Sequence, residues 1–136
     1  MLQHNKIIIF ILLLLLSFEL SYAVDPSVLY GKWEGKLENK SIELDLNKNN
    51  MATIMINNQL FIKEKYDYVY GKDYYPFVSL FFNKNETDYH LYLLIGTSNG
   101  INFDLLRGFF EKSLLINEQK EIEKLTSYRI DLTKVE

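Results

Sequence analysis

The feature that most constrains this chain is an alternation of apolar and polar residues with a period of two, recurring from Gly31 to Thr133. That period matches strands with one face against a core and the other in water. Trp33, Gly35 and Leu37 share one face, and Lys32, Glu34 and Lys36 share the other. Ile42, Leu44 and Leu46 alternate in the same way with Glu43, Asp45 and Asn47. Asn47-Lys48-Asn49-Asn50, Asn57-Asn58, Gly71-Lys72-Asp73, Asn83 to Glu86 and Gly96 to Gly100 punctuate the runs, using residues that tolerate positive φ. After the first two strands, the spacing predicts strands over 51–56, 60–70, 77–82, 89–95 and about 101–110. Asn117 to Lys124 lacks Gly and Pro, with Ile122 and Leu125 three apart, and predicts a short helix over 117–125. Tyr128, Ile130 and Leu132 then alternate with Arg129, Asp131 and Thr133 as a last strand.

Eight strands joined by tight turns predict an all-β fold, an antiparallel up-and-down barrel with a short helix before the last strand. Closure removes the edges that an open sheet would expose. No repeat or low-complexity linker divides residues 24–136, so one domain is expected there. The chain has no cysteine, so its core must hold without disulfides. Its formal charge is −3 with acids and lysines interspersed, which argues against nucleic acid as a partner because that needs clustered positive charge.

Residues 1–23 have the layout of a signal peptide. Lys6 closes a polar start, Ile7 to Leu16 is an unbroken apolar run, and Ser21-Tyr22-Ala23 supplies small residues before a cut. The run is shorter than the roughly 20 apolar residues of a spanning helix. Cleavage near Ala23 would leave a periplasmic or extracellular protein without a stable membrane anchor.

Three short motifs follow in order. Gly31-Lys32-Trp33 opens the first strand, Thr87-Asp88-Tyr89 precedes the sixth, and Arg107 lies late in the seventh. The set resembles the lipocalins. The resemblance implies an eight-stranded barrel with an internal site for a small apolar ligand. It also implies structural roles for Gly31, Trp33 and Asp88, and an Arg107 that packs over Trp33 at the closed end. Arg107 shares parity with Phe103, Leu105 and Phe109, which would aim it inward over the indole. The Gly-Lys-Trp opening is also similar to that of avidins, but those cage biotin with several tryptophans and Trp33 is the only one here.

No catalytic set is expected. Gly96-Thr97-Ser98-Asn99-Gly100 matches the nucleophile elbow formally, but a strand-like run rather than a helix follows it and no histidine comes after Ser98. His90 faces away from Leu91 and Leu93 and reads as a lightly packed outer residue. A lone histidine without cysteine makes no zinc site, and no cofactor is implied. Glu43 and Asp45 lie on an outward face. Asn39-Lys40-Ser41 and Asn85-Glu86-Thr87 are glycosylation sequons in expected turns.

The ligand-binding expectation is an interior lined by Trp33, Leu44, Phe77, Phe81, Leu91, Leu93, Phe103 and Leu105. Tyr66, Tyr68 and Tyr70, on one face of the fourth strand, would add hydroxyls to line a cavity, form an outer platform or pack across strands. Both faces of the hairpin 77–95 are apolar. Val78, Leu80 and Phe82 are expected outward there with His90, Tyr92 and Leu94. The alternative is therefore a protein-binding module with a filled core, meeting a partner or a second copy through the outer face of 78–94.

Overall fold

A computed structural model describes residues 4–12, 25–71, 74–115 and 122–135. Residues 4–12 are helical, and among the described residues no helix is long and apolar enough to cross a membrane. A single helical turn, Pro26–Leu29, leads into nine antiparallel strands: β1 (Gly31–Leu37), β2 (Lys40–Leu46), β3 (Met51–Ile56), β4 (Gln59–Lys65), β5 (Asp67–Gly71), β6 (Tyr74–Lys84), β7 (Thr87–Gly96), β8 (Leu105–Leu115) and β9 (Ile122–Lys134). They pair in the order β4-β3-β2-β1-β9-β8-β7-β6-β5. The first and last strands meet, with Trp33 opposite Lys134. The sheet is an all-β, nearly closed barrel.

The count is nine strands, not eight. The expected strand 60–70 breaks at Tyr66, so that β4 pairs with β3 and β5 pairs with β6. Tyr66 is what holds the break. Its N–H donates to the Asn50 carbonyl (2.9 Å), and its hydroxyl donates to the Asn47 carbonyl (2.9 Å). Both acceptors lie in the β2–β3 turn. Burial of the ring pushes the phenol pKa up. At the resulting seam, side chains replace the missing ladder. Lys84 of β6 donates to the Phe61 carbonyl of β4 (2.6 Å) and lies 4.2 Å from the Phe61 ring centre.

The short helix comes at the N-terminus rather than before the last strand. Residues 122–125 belong to β9, where Lys124 and Leu125 face Leu114 and Ser113. A three-residue apolar spacing carried no weight there against a long antiparallel partner. The part of that expectation on 117–121 lies outside the described residues. The strand expected over 101–110 begins only at Leu105, because Ile101 to Asp104 complete the β7–β8 loop. The tight turns follow the residue chemistry. Asn57-Asn58 and Asn85-Glu86 each place two successive residues at φ between 50° and 63°, the backbone of a two-residue hairpin.

The core is the barrel interior. Ile42, Leu44, Ile54, Leu80, Leu91, Leu93, Leu106 and Ile130 are almost fully buried along its length. Small barrels are normally filled by side chains in this way. Each such aliphatic residue contributes roughly 1.5–3 kcal/mol by leaving water. Gly108 lets β8 approach β7, since a Cβ there would lie 1.7 Å from the Tyr92 carbonyl oxygen.

Candidate functional site

The closed end of the barrel is built by the helical turn and β1. Trp33 is fully buried, and its indole N–H donates to the Leu29 carbonyl (2.8 Å). Gly31 precedes it at φ 115°, a conformation that favours glycine. The cation near the indole is Lys134, whose Nζ lies 5.3 Å from the ring centre and donates to the Val28 carbonyl. Burial lowers its pKa. Arg107 does not take this role. It stands on the outer face, ion-paired with Asp131 at 3.6 Å. Asp88 accepts from the Asn83 side chain (2.8 Å) beside the β6–β7 turn.

The other end opens onto a small depression of about 190 Å³, lined by Leu37, Ile56, Phe61, Tyr89, Phe110 and Tyr128 with Glu38, Lys40 and Lys112. Rings fill the space beneath it. Phe61 meets Tyr89 edge-on at 5.3 Å and Phe82 at 5.9 Å, and Tyr89 lies 4.9 Å from Phe82. Ligand pockets usually measure about 300–1,000 Å³, so this mouth is small for a drug-sized molecule.

The expected lining residues separate into two groups. Trp33, Leu44, Leu91 and Leu93 are buried in the core, as is Tyr66, and Tyr68 packs against it half-buried. Phe77 and Phe81 face outward, because Val78 and Leu80 oppose Leu93 and Leu91 on the core side of the β6–β7 ladder. Val78, Leu80 and Phe82 therefore point inward, reversing the expectation for that strand. Both faces are apolar there, and the hydrophobic pattern alone does not set the parity. Phe103 is exposed in the β7–β8 loop. Leu105 is buried but stands apart from the main core cluster. The side chain of Tyr70 lies outside the described residues.

The outer face of β6 to β8 is where the reversed parity takes effect. Each ladder row runs across four strands. One row is Phe77, Leu94, Arg107 and Asp131, and the next is Ser79, Tyr92, Phe109 and Arg129. Then come Phe81, His90, Glu111 and Ser127, followed by Asn83, Asp88, Ser113 and Leu125. Phe81 is 67% exposed, Phe109 48% and Leu94 38%. The Phe77 and Tyr92 rings lie 4.7 Å apart, and Phe81 stacks on His90 at 3.9 Å with the planes 6° apart. A groove of about 460 Å³ crosses the last two rows, lined by Phe81, Phe82, Asp88, Tyr89, His90, Glu111, Ser113 and Leu125.

Within this face Ser79, His90 and Glu111 form a cluster spanning two adjacent rows that sequence reading missed. Ser79 Oγ lies 3.3 Å from His90 Nε2, and His90 Nδ1 lies 4.0 Å from a Glu111 carboxylate oxygen. Burial lowers the His90 pKa, and the Glu111 charge opposes that shift more weakly. The register that sets His90 beside Glu111, with Ser79 one row away, was the signal that could have exposed the cluster. It does not make a nucleophilic triad. Ser79 is buried, and the 4.0 Å histidine–glutamate separation exceeds a hydrogen bond. Ser98 is likewise structural. Its N–H donates to Asp104 (2.7 Å) and its hydroxyl donates to the same carboxylate, closing the β7–β8 loop. Among the described residues no group of three or more His, Cys, Asp or Glu is placed to hold a metal.

Comparison with known proteins finds no matching family model, no matching curated protein and no matching solved structure.

Proposed function

We propose that this chain is an exported, non-catalytic association protein whose binding surface is the outer face of β6 to β8, with the barrel interior serving as its core. One observation carries the reading: Phe77, Phe81, Tyr92, Leu94 and Phe109 occupy neighbouring outward positions in three ladder rows, with Arg107, Arg129, Asp131, Asp88 and Glu111 around them. An apolar centre inside a polar margin is the anatomy of a protein interface. Contiguous apolar patches on monomers commonly mark association sites. Export rests on Lys6, the run Ile7 to Leu16 and Ser21-Tyr22-Ala23. The inward Trp33 beneath a helical turn supports a barrel of lipocalin-like outline, in which side chains occupy the space a ligand would take.

A hydrophobic fluorescent dye tests the location of the site. The dye is expected to bind the native protein and to lose most of its signal in the double variant Phe81→Ser/Phe109→Ser, which should unfold normally. Binding that survives this variant but quenches Trp33 emission would place the site in the interior and overturn the reading.

A further inference from the structure

Three strands of the barrel carry a lysine where their alternation calls for an apolar residue. In β2 the inward set Leu46, Leu44 and Ile42 continues to Lys40, opposite the buried Leu37. In β6 the set Val78, Leu80 and Phe82 continues to Lys84. In β8 the set Leu106, Gly108 and Phe110 continues to Lys112, which stands opposite Tyr89 on one side and Thr126 on the other. All three lie at the open end. One lysine at a strand end is an ordinary solvated terminus that lifts its charge into water. Three from separate strands, all on the parity of the interior, put positive charge around a single mouth.

The layer beneath them is aromatic. Phe61 lies 5.3 Å from Tyr89 and 6.3 Å from Phe110, and Tyr89 lies 5.6 Å from Phe110. Lys84 is already engaged there, on the Phe61 carbonyl. Lys40 and Lys112 are not held in that way. They line the depression of about 190 Å³, with Lys112 Nζ 5.7 Å from the centre of the Tyr128 ring. Glu38 is the one acid in that lining, and among the described residues neither lysine is ion-paired with it or with any other acid.

Two ammonium groups above a floor of rings select a ligand by chemistry. A carboxylate meets the lysines through charge-assisted hydrogen bonds. A flat ring lies edge-on or offset against Phe61, Tyr89 and Phe110. A long aliphatic tail finds no room, because Leu80, Leu91 and Phe82 fill the barrel below. We infer that the open end of the barrel is a binding site for a small aromatic carboxylate, held by Lys40 and Lys112 over the Phe61–Tyr89–Phe110 layer. This site lies at the mouth, apart from the outer face of β6 to β8, and does not depend on the association reading.

Titration of the purified protein with phenylacetate, followed by amide NMR, tests the inference. For a ligand of about ten heavy atoms, a dissociation constant of about 1 mM or tighter is expected, with the largest shifts at Phe110, Lys112 and Tyr128. Acetate lacks the ring and 2-phenylethylamine lacks the negative charge, so each should bind at least about fivefold more weakly. Lys112→Met and Lys40→Met, which keep an unbranched apolar stem, should each weaken phenylacetate by about fivefold or more through the loss of a charged donor. Glu38→Gln should tighten it, because a like charge leaves the mouth. Absence of shifts at about 10 mM phenylacetate, a level ten times that constant, overturns the inference. Equal binding of the amine or of acetate does so too, as does unchanged affinity in both lysine variants or weaker binding in Glu38→Gln. Shifts confined to Phe81, Leu94 and Phe109 would also overturn it, while leaving the association reading standing.

Discussion

The two outer faces of this barrel are made by the same kind of strand and could hardly differ more. On β1 and β2 the outward residues are Lys32, Glu34, Lys36, Glu43 and Asp45, with Lys32 and Glu43 paired at 3.5 Å. On β6 to β8 they include Phe77, Phe81, Tyr92, Leu94 and Phe109. The inward residues are equivalent, with Ile42, Leu44 and Leu46 on one side and Leu80, Leu91 and Leu93 on the other. The core therefore accounts for neither the charge of the first face nor the aromaticity of the second. A largely exposed Phe81 forgoes much of the roughly 1.5–3 kcal/mol that burial of such a side chain provides. One exposed ring is ordinary, but a contiguous set in register is what association sites look like.

The largest expected effect tests whether β6 is divided as described. Leu80→Ala should cost about 2–5 kcal/mol in urea unfolding because it opens a cavity in the core, whereas Phe81→Ser at low protein concentration should cost less than about 1 kcal/mol. Equal losses would erase the distinction between the faces. Next, Tyr66→Phe removes the hydroxyl that ties the break between β4 and β5 to the β2–β3 turn. A loss of about 1 kcal/mol is expected, with faster amide exchange at Tyr66 itself. A shift of the break elsewhere would instead leave stability unchanged.

A pH titration then separates the faces by chemistry. His90 has a folded pKa below its unfolded value of about 6.5, so the unfolded chain binds more protons. Its neutral form fits the folded state fully above about pH 6.5, and stability falls as pH drops from there through the folded value. His90→Gln should flatten that part of the curve, and an unchanged curve would show that His90 is not its source. The smallest effect belongs to the polar face. Lys32→Ala should change stability by less than about 0.5 kcal/mol, as exposed ion pairs usually do, and should leave dye binding unaltered.

How much was legible in the sequence varied with the contrast between the two faces of each strand. On β1 and β2 polar residues alternate strictly with apolar ones, and Trp33 and Leu44 lie inward as the period predicts. On β6 and β8 both faces are apolar, so the alternation carried no sign. The largest rings drew Phe77, Phe81 and Phe103 inward in the reading. The actual parity is set by pairing, with Leu80 against Leu91 and Gly108 against Leu93. The same inversion turned Arg107 outward and left the indole to Lys134, whose role depends on β1 meeting β9. The break at Tyr66 depends on two carbonyls far back in the chain, which no local pattern reveals. The outer patch was anticipated at 77–95, but its membership in β6 was reversed, and the Ser79–His90–Glu111 cluster needed the register of three strands.

The central claim concerns which side of β7 meets a partner, and methyl NMR reads that side directly. Leu91 and Leu93 point into the barrel and Leu94 points out of it. During titration with a hydrophobic probe, the account predicts that the Leu94 methyls shift while those of Leu91, Leu93 and Leu44 hold still. Shifts concentrated on Leu91, Leu93 and Leu44 with Leu94 unmoved would contradict it.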